Sequence, residues 1–139
     1  MIHFHYETGF GLEKESSFKK WLVACAASEG FSIGDIAYVF CDDQRLLQIN
    51  KEYLNHDSFT DIITFDYVMG NTLSADIFIS VERVADNAQH YQVTFEKEMC
   101  RVMVHGLLHL MGYKDKSEQD GVLMRAKEEE KINMFHVER

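Results

Sequence analysis

Proline is absent from all 139 residues, so breaks in regular structure fall to the eight glycines and to short polar clusters. Cysteine is scarce: Cys25, Cys41 and Cys100 are odd in number, widely separated and set among apolar neighbours. That excludes a disulfide framework or a cysteine-based zinc knot and points to small buried thiols in a reducing compartment. Positive charge is in deficit. Lys and Arg number 14 against 23 Asp and Glu, a formal net charge of −9. This argues against a general nucleic-acid binder, whose affinity rests on clustered cations, while leaving room for a local basic patch beside a metal ion. No apolar run approaches the roughly 20 residues that cross a bilayer. Residues 1–7 have no basic region leading into an apolar stretch, so no secretory signal is expected. Repeats, low-complexity tracts and linkers are missing too. The expectation is one cytoplasmic domain over residues 1–139, large enough to bury a core without staples.

What is present is a mixture of the two hydrophobic periods. Phe18, Trp21, Leu22 and Cys25 fall on one helical face within residues 13–29, with Gly30 as the stop. Residues 2–6 read as an edge strand and residues 35–41 as an apolar strand. Asp42 or Asp43 can cap a helix carrying Leu46, Leu47, Ile49 and Tyr53. Residues 61–66 and 75–80 read as strands joined through Gly70-Asn71. Ser80 caps a helix to about Tyr91, and Thr94 caps another that is apolar nearly all round in its second half. A charged amphipathic helix over 118–135 closes the chain. Strands and helices without strict alternation predict an α+β fold: a small mixed sheet surrounded by helices, with the central buried helix ending near Gly112.

The chemistry sits at the end of that helix, in His105-Gly106-Leu107-Leu108-His109-Leu110-Met111-Gly112-Tyr113-Lys114-Asp115. Two histidines four apart project from one helical face and can grip one ion. Gly112 allows a sharp turn that swings Asp115 back as a third ligand. Imidazoles amid Val104, Leu107, Leu108 and Leu110 are costly to bury without partners, which favours a metal over two idle histidines. Three N and O ligands leave a fourth position for water, the pattern of a catalytic zinc site. His3, His5, His56, His90 and His136 show no ligand spacing and read as surface or locally bonded, with His56 worth watching in the loop before Thr60.

This stretch resembles the signature of the YbeY family of bacterial metal-dependent endoribonucleases, His-Gly-x-Leu-His-Leu-x-Gly-Tyr-Asp-His. Upstream, Thr60-Asp61-Ile62-Ile63-Thr64-Phe65 and Asp76-Ile77-Phe78-Ile79-Ser80 resemble further blocks of the same family, as do Asn50-Lys51-Glu52-Tyr53 and Met124-Arg125-Ala126-Lys127-Glu128. The resemblance implies a zinc-dependent single-strand endoribonuclease. It implies action in maturation of the 16S ribosomal RNA 3′ end and in ribosome quality control, on ribosomal RNA, with a ribosomal protein or GTPase as further partner. The metal would be held by His105, His109 and Asp115, with metal-bound water as the attacking group and no protein base assigned. Thr60 and Asp61 are candidates for orienting substrate or an imidazole, and Lys114 and Lys116 for touching the phosphate backbone.

Three departures from the family pattern stand out. The third histidine is Asp115, preceded by Lys114 where Asp is usual; an arginine important in the family is Leu54; and Ala75 replaces a typical glycine. Two other readings stay open. The spacing to Asp115 is also that of metzincin proteases, but the general-base Glu that follows their first histidine is Gly106. A non-catalytic, metal-stabilised ribosome-assembly factor is the third, and Leu54 favours it. An aspartate ligand leaves the metal one unit less positive than a third imidazole, so bound water should ionise less readily. The pH–activity profile of Asp115→His should therefore move to lower pH, and an unmoved profile would refute this account.

Overall fold

In the computed structural model, residues 1–56 and 58–137 are described, except for the side chains of His136 and Val137; the reading of His136 lies outside the described residues. The elements run β1 (Ile2–Tyr6), α1 (Glu15–Ser28), β2 (Ser32–Cys41), α2 (Asp43–Tyr53), β3 (Ile62–Asp66), β4 (Thr72–Ser80), α3 (Val81–His90), α4 (Phe95–Leu110) and α5 (Glu118–Val137). The sheet has the order β1-β2-β4-β3. β1, β2 and β4 are parallel, and β3 joins β4 antiparallel. This is the expected mixed sheet with helices around it.

The period of two in the strands sorts side chains onto two faces. Ile36, Tyr38 and Phe40 of β2 and Leu73, Ala75, Ile77 and Ile79 of β4 are buried in the main core with α1, α4 and α5. Ile63, Phe65 and Phe78 face the other way, onto Leu46 and Ile49 of α2. β2 and β4 extend further toward their N-termini than the apolar runs suggest, because their pairing continues across an irregularity between Ile33 and Ile36. Gly34 lies there, and a Cβ on it would meet Ser74 Oγ at 2.5 Å, so the residue that reads as a break is a close-approach site inside the strand.

Three helices start on the residues whose side chains suit a cap. Asp42 accepts from the Arg45 amide, Ser80 from Arg83 and Thr94 from Lys97. α4 is the central helix, buried on most of its circumference. Two contacts fix it on the sheet. The Tyr38 hydroxyl donates to the Met103 carbonyl at 2.9 Å. Gly106 lies against β3 and β4, where an added Cβ would come within 2.9 Å of Ile62 Cδ1. Gly112, at φ 101°, then ends the helix, and the Tyr113 amide bonds back to the Leu108 carbonyl.

α5 is tied to the rest by a partly buried ion network. Glu29, just past α1, accepts from Lys131 at 2.7 Å, from Lys127 at 2.9 Å and from the Tyr113 hydroxyl at 2.6 Å. The Trp21 indole donates to the Lys131 carbonyl at 2.6 Å, locking α1 onto the same turn of α5. Burial alone would raise the Glu29 carboxyl, but the hydrogen bonds from Lys131, Tyr113 and Lys127 outweigh it and hold its pKa at about 2, below the ordinary 4.5. A depressed carboxyl contributes stability that is complete above its unfolded pKa and is lost as pH falls through the folded one. Chemical denaturation should therefore show stability falling by on the order of 2–3 kcal/mol between about pH 4.5 and 2 on this account. Glu29→Gln should be less stable at pH 7 and show a smaller fall across the same window.

Candidate metal centre

His105 and His109 lie one turn apart in the last part of α4, and the turn after Gly112 returns Asp115 to them. The two Nε2 atoms are 3.0 Å apart, and Asp115 Oδ2 is 3.3 Å from each. One donor atom from each residue lies within 4.8 Å of the others, the arrangement needed to hold a single ion. A tetrahedral centre with bonds of about 2.0–2.1 Å separates its donors by roughly 3.3 Å, close to this triangle.

The outer nitrogens fix how the two rings are turned. His109 Nδ1 is 2.9 Å from the Tyr113 carbonyl, which can only accept, so this nitrogen carries the proton. His105 Nδ1 is 2.5 Å from Glu128 Oε2, a buried carboxylate that also faces Arg101. These outer bonds orient both rings with their Nε2 atoms toward each other and toward a carboxylate oxygen. Two imidazole nitrogens and a carboxylate oxygen at this separation form a donor set that fits a zinc-like ion. Asp115 is exposed on the outer side, which leaves the centre open to solvent and substrate.

Glu128 escaped the sequence reading as a site residue. A signal was present: with Met124, Ile132 and Phe135 it forms the buried stripe of α5, so a carboxylate stands in an apolar row. Behind it lies a second missed pair. Glu98, almost fully buried, receives Arg101 through Nε at 3.0 Å and Nη2 at 2.5 Å. Arg101 Nη1 reaches Glu128 Oε1 at 3.5 Å. Burial would weaken the charge on Arg101, but Glu98, Glu128 and Asp61 prevail and raise its pKa.

The remaining candidates lie further out. Asp61 touches neither imidazole: it faces Arg101 at 3.6 Å and accepts from Asn87 at 3.4 Å, so it reaches His105 only through Arg101 and Glu128. The Thr60 hydroxyl turns back to the Ile62 carbonyl at 3.4 Å. Lys114 and Lys116 are exposed on either side of Asp115, and His56 is exposed as well. Asn50, nearly buried, donates to the Ser58 carbonyl and accepts from the Leu54 and His56 amides, which shapes the loop after α2. A general-base glutamate at position 106 would run into Ile62, because that side of α4 is packed on the sheet, which weighs against the protease reading.

Comparison with known proteins bears on this site. The sequence profile described as Endoribonuclease YbeY matches residues 7–136. Proteins named Endoribonuclease YbeY from Flavobacterium johnsoniae and Flavobacterium psychrophilum are 59% and 53% identical, each aligned over 99% of this chain and over 99% and 98% of their own lengths. One of the same name from Bacteroides fragilis is 44% identical over 87% of both chains. A solution structure from Thermotoga maritima superposes with a TM-score of 0.71 over 99% of this chain and 91% of its own, at 24% identity, which shows a common fold. For the metal centre, Glu128→Gln should keep the fold and weaken zinc binding about 10- to 100-fold, measured by competition with a chromogenic chelator. Unchanged affinity would remove Glu128 from the account.

Proposed function

Since this chain belongs to the YbeY endoribonuclease family, we propose that it is a zinc-dependent enzyme that cleaves single-stranded RNA internally, with the ion held by His105, His109 and Asp115. Its task on this reading is maturation of the 16S ribosomal RNA 3′ end and ribosome quality control in the cytoplasm. The observation that carries the metal assignment is the convergence of two Nε2 atoms and one carboxylate oxygen within 3.3 Å of one another.

Bound there, zinc supplies Lewis-acid polarisation of a phosphate oxygen and an acidified water. The chain's own residues do the rest. Glu128 and the Tyr113 carbonyl hold the two imidazoles in one tautomer and one orientation. The bidentate Glu98 clamp fixes Arg101, which keeps Glu128 in place from behind. Lys114 and Lys116 add positive charge beside the ion, where a phosphodiester must approach a chain of net charge −9. Among the described residues no helix is long and apolar enough to cross a membrane, consistent with a substrate met in solution.

The test uses purified, zinc-loaded protein with single-stranded RNA and with casein, each with and without chelator. RNA should be cut, casein left intact, chelator should abolish cutting and added zinc restore it. His109→Ala should lower cleavage by about 100-fold or more. Cells carrying it should accumulate 16S RNA with unprocessed 3′ ends. Casein cleavage without RNA cleavage would overturn the proposal, and inactivity of the loaded protein on both would favour a binding factor.

A further inference from the structure

The metal centre opens on one side into a cavity of about 440 Å³ between α4 and α5. Its inner charged groups are all partnered: Arg101 is held by Glu98 and Glu128, the latter also bonded to His105. One wall is apolar, made of Val93 with the buried Met124 and Ile132. The mouth carries two groups of another kind. Tyr91, at the C-terminal end of α3, is 59% exposed although it is a large aromatic. Arg125, three residues before Glu128 on α5, is exposed and makes no ion pair or hydrogen bond among the described residues. Gly121 leaves space between that guanidinium and the Asp115 loop: a Cβ there would lie 3.7 Å from the Asp115 carbonyl and 3.8 Å from Arg125 Nη1.

We propose that this cavity seats one nucleotide of the RNA strand, with its base between Tyr91 and the apolar wall and its phosphate on Arg125, next to the phosphodiester at the metal. The assignment rests on the endoribonuclease reading above and adds the place where the strand is gripped. A cavity whose buried charged groups already have partners, beside a wall of Val93, Met124 and Ile132, offers a planar, weakly polar base an apolar seat without breaking an ion pair. A free guanidinium at its mouth offers a bidentate contact to a phosphate. Tyr91, just past α3, and Arg125, on α5, line the same cavity and so offer one ligand an aromatic and a cationic contact. Inorganic phosphate would leave the apolar wall bare. Lys97, which pairs with Glu129 at 3.7 Å on the same rim, adds a second, weaker cation to the path of the strand.

The experiment measures binding of a short, fluorescein-labelled, 2′-O-methyl single-stranded oligoribonucleotide to the zinc-loaded full chain by anisotropy across a salt series. Arg125→Gln should weaken binding several-fold and lower the slope of log affinity against log salt by roughly 0.7, the value for one phosphate contact on a single strand. Tyr91→Ala should weaken binding about tenfold with the slope unchanged, the signature of lost stacking. Uridine and adenosine 5′-monophosphates should compete in the parent protein, and inorganic phosphate should compete far less well. Thermal midpoints and zinc content of both variants should match the parent. If both variants bind with parental affinity and slope while the parent still cleaves RNA, the nucleotide seat is wrong and the endoribonuclease reading stands. If the parent neither binds nor cleaves RNA, both fall together.

Discussion

Everything at this site depends on two hydrogen bonds that point away from it. The Tyr113 carbonyl takes the proton of His109 Nδ1, and Glu128 takes that of His105 Nδ1. Without those acceptors either ring could flip or change tautomer, and the inward nitrogens would no longer both face the site. With them, both Nε2 atoms face each other and the Asp115 carboxylate, a donor set that one cation can bridge. The carboxylate of Asp115 joins from the open side, so the centre is anchored where it is buried and accessible where chemistry would take place.

The two acceptors are themselves secured by separate ion networks. Glu128 belongs to the set with Arg101, Glu98 and Asp61, which joins α4 to α5 and to the residue before β3. Tyr113 belongs to the set with Glu29, Lys127 and Lys131, which joins the turn after α4 to α1 and α5. Buried ion pairs contribute little net stability, since desolvation offsets much of their attraction. Here their value is geometric: the ion pairs favour one arrangement of these side chains, and that arrangement holds a candidate ligand histidine in place. α5 thus serves as the back plate of the centre, although it contributes no ligand.

An acidic chain that acts on RNA has to localise its attraction. The net charge of −9 repels a polyanion at long range, so affinity must come from the ion and a few nearby cations. Lys114, Lys116 and Arg125 all lie exposed near Asp115 or on the adjoining cavity. Leu54, by contrast, ends α2 as a partly exposed apolar residue where the family pattern has an arginine. The positive charge around the centre is therefore carried by the turn after α4 and by α5.

Local rules were enough for most of the elements and for bringing the candidate triad together. Cap residues set the starts of α2, α3 and α4, and the apolar periods set the faces of the strands. His105, His109, Gly112 and Asp115 are close in sequence, and helix geometry with the turn at Gly112 brings them together. Gly34 was harder, because a glycine inside a strand looks like a break until the neighbouring strand is seen pressing on it. Glu128 is 23 residues from His105, and Glu29 is 84 from Tyr113. No local periodicity links such residues; only the docking of α5 and α1 against α4 decides that a carboxylate in an apolar stripe meets an imidazole. The chain alone thus determined which atoms can bind an ion, and the packed structure decided how they are oriented, because orientation comes from hydrogen bonds between distant segments.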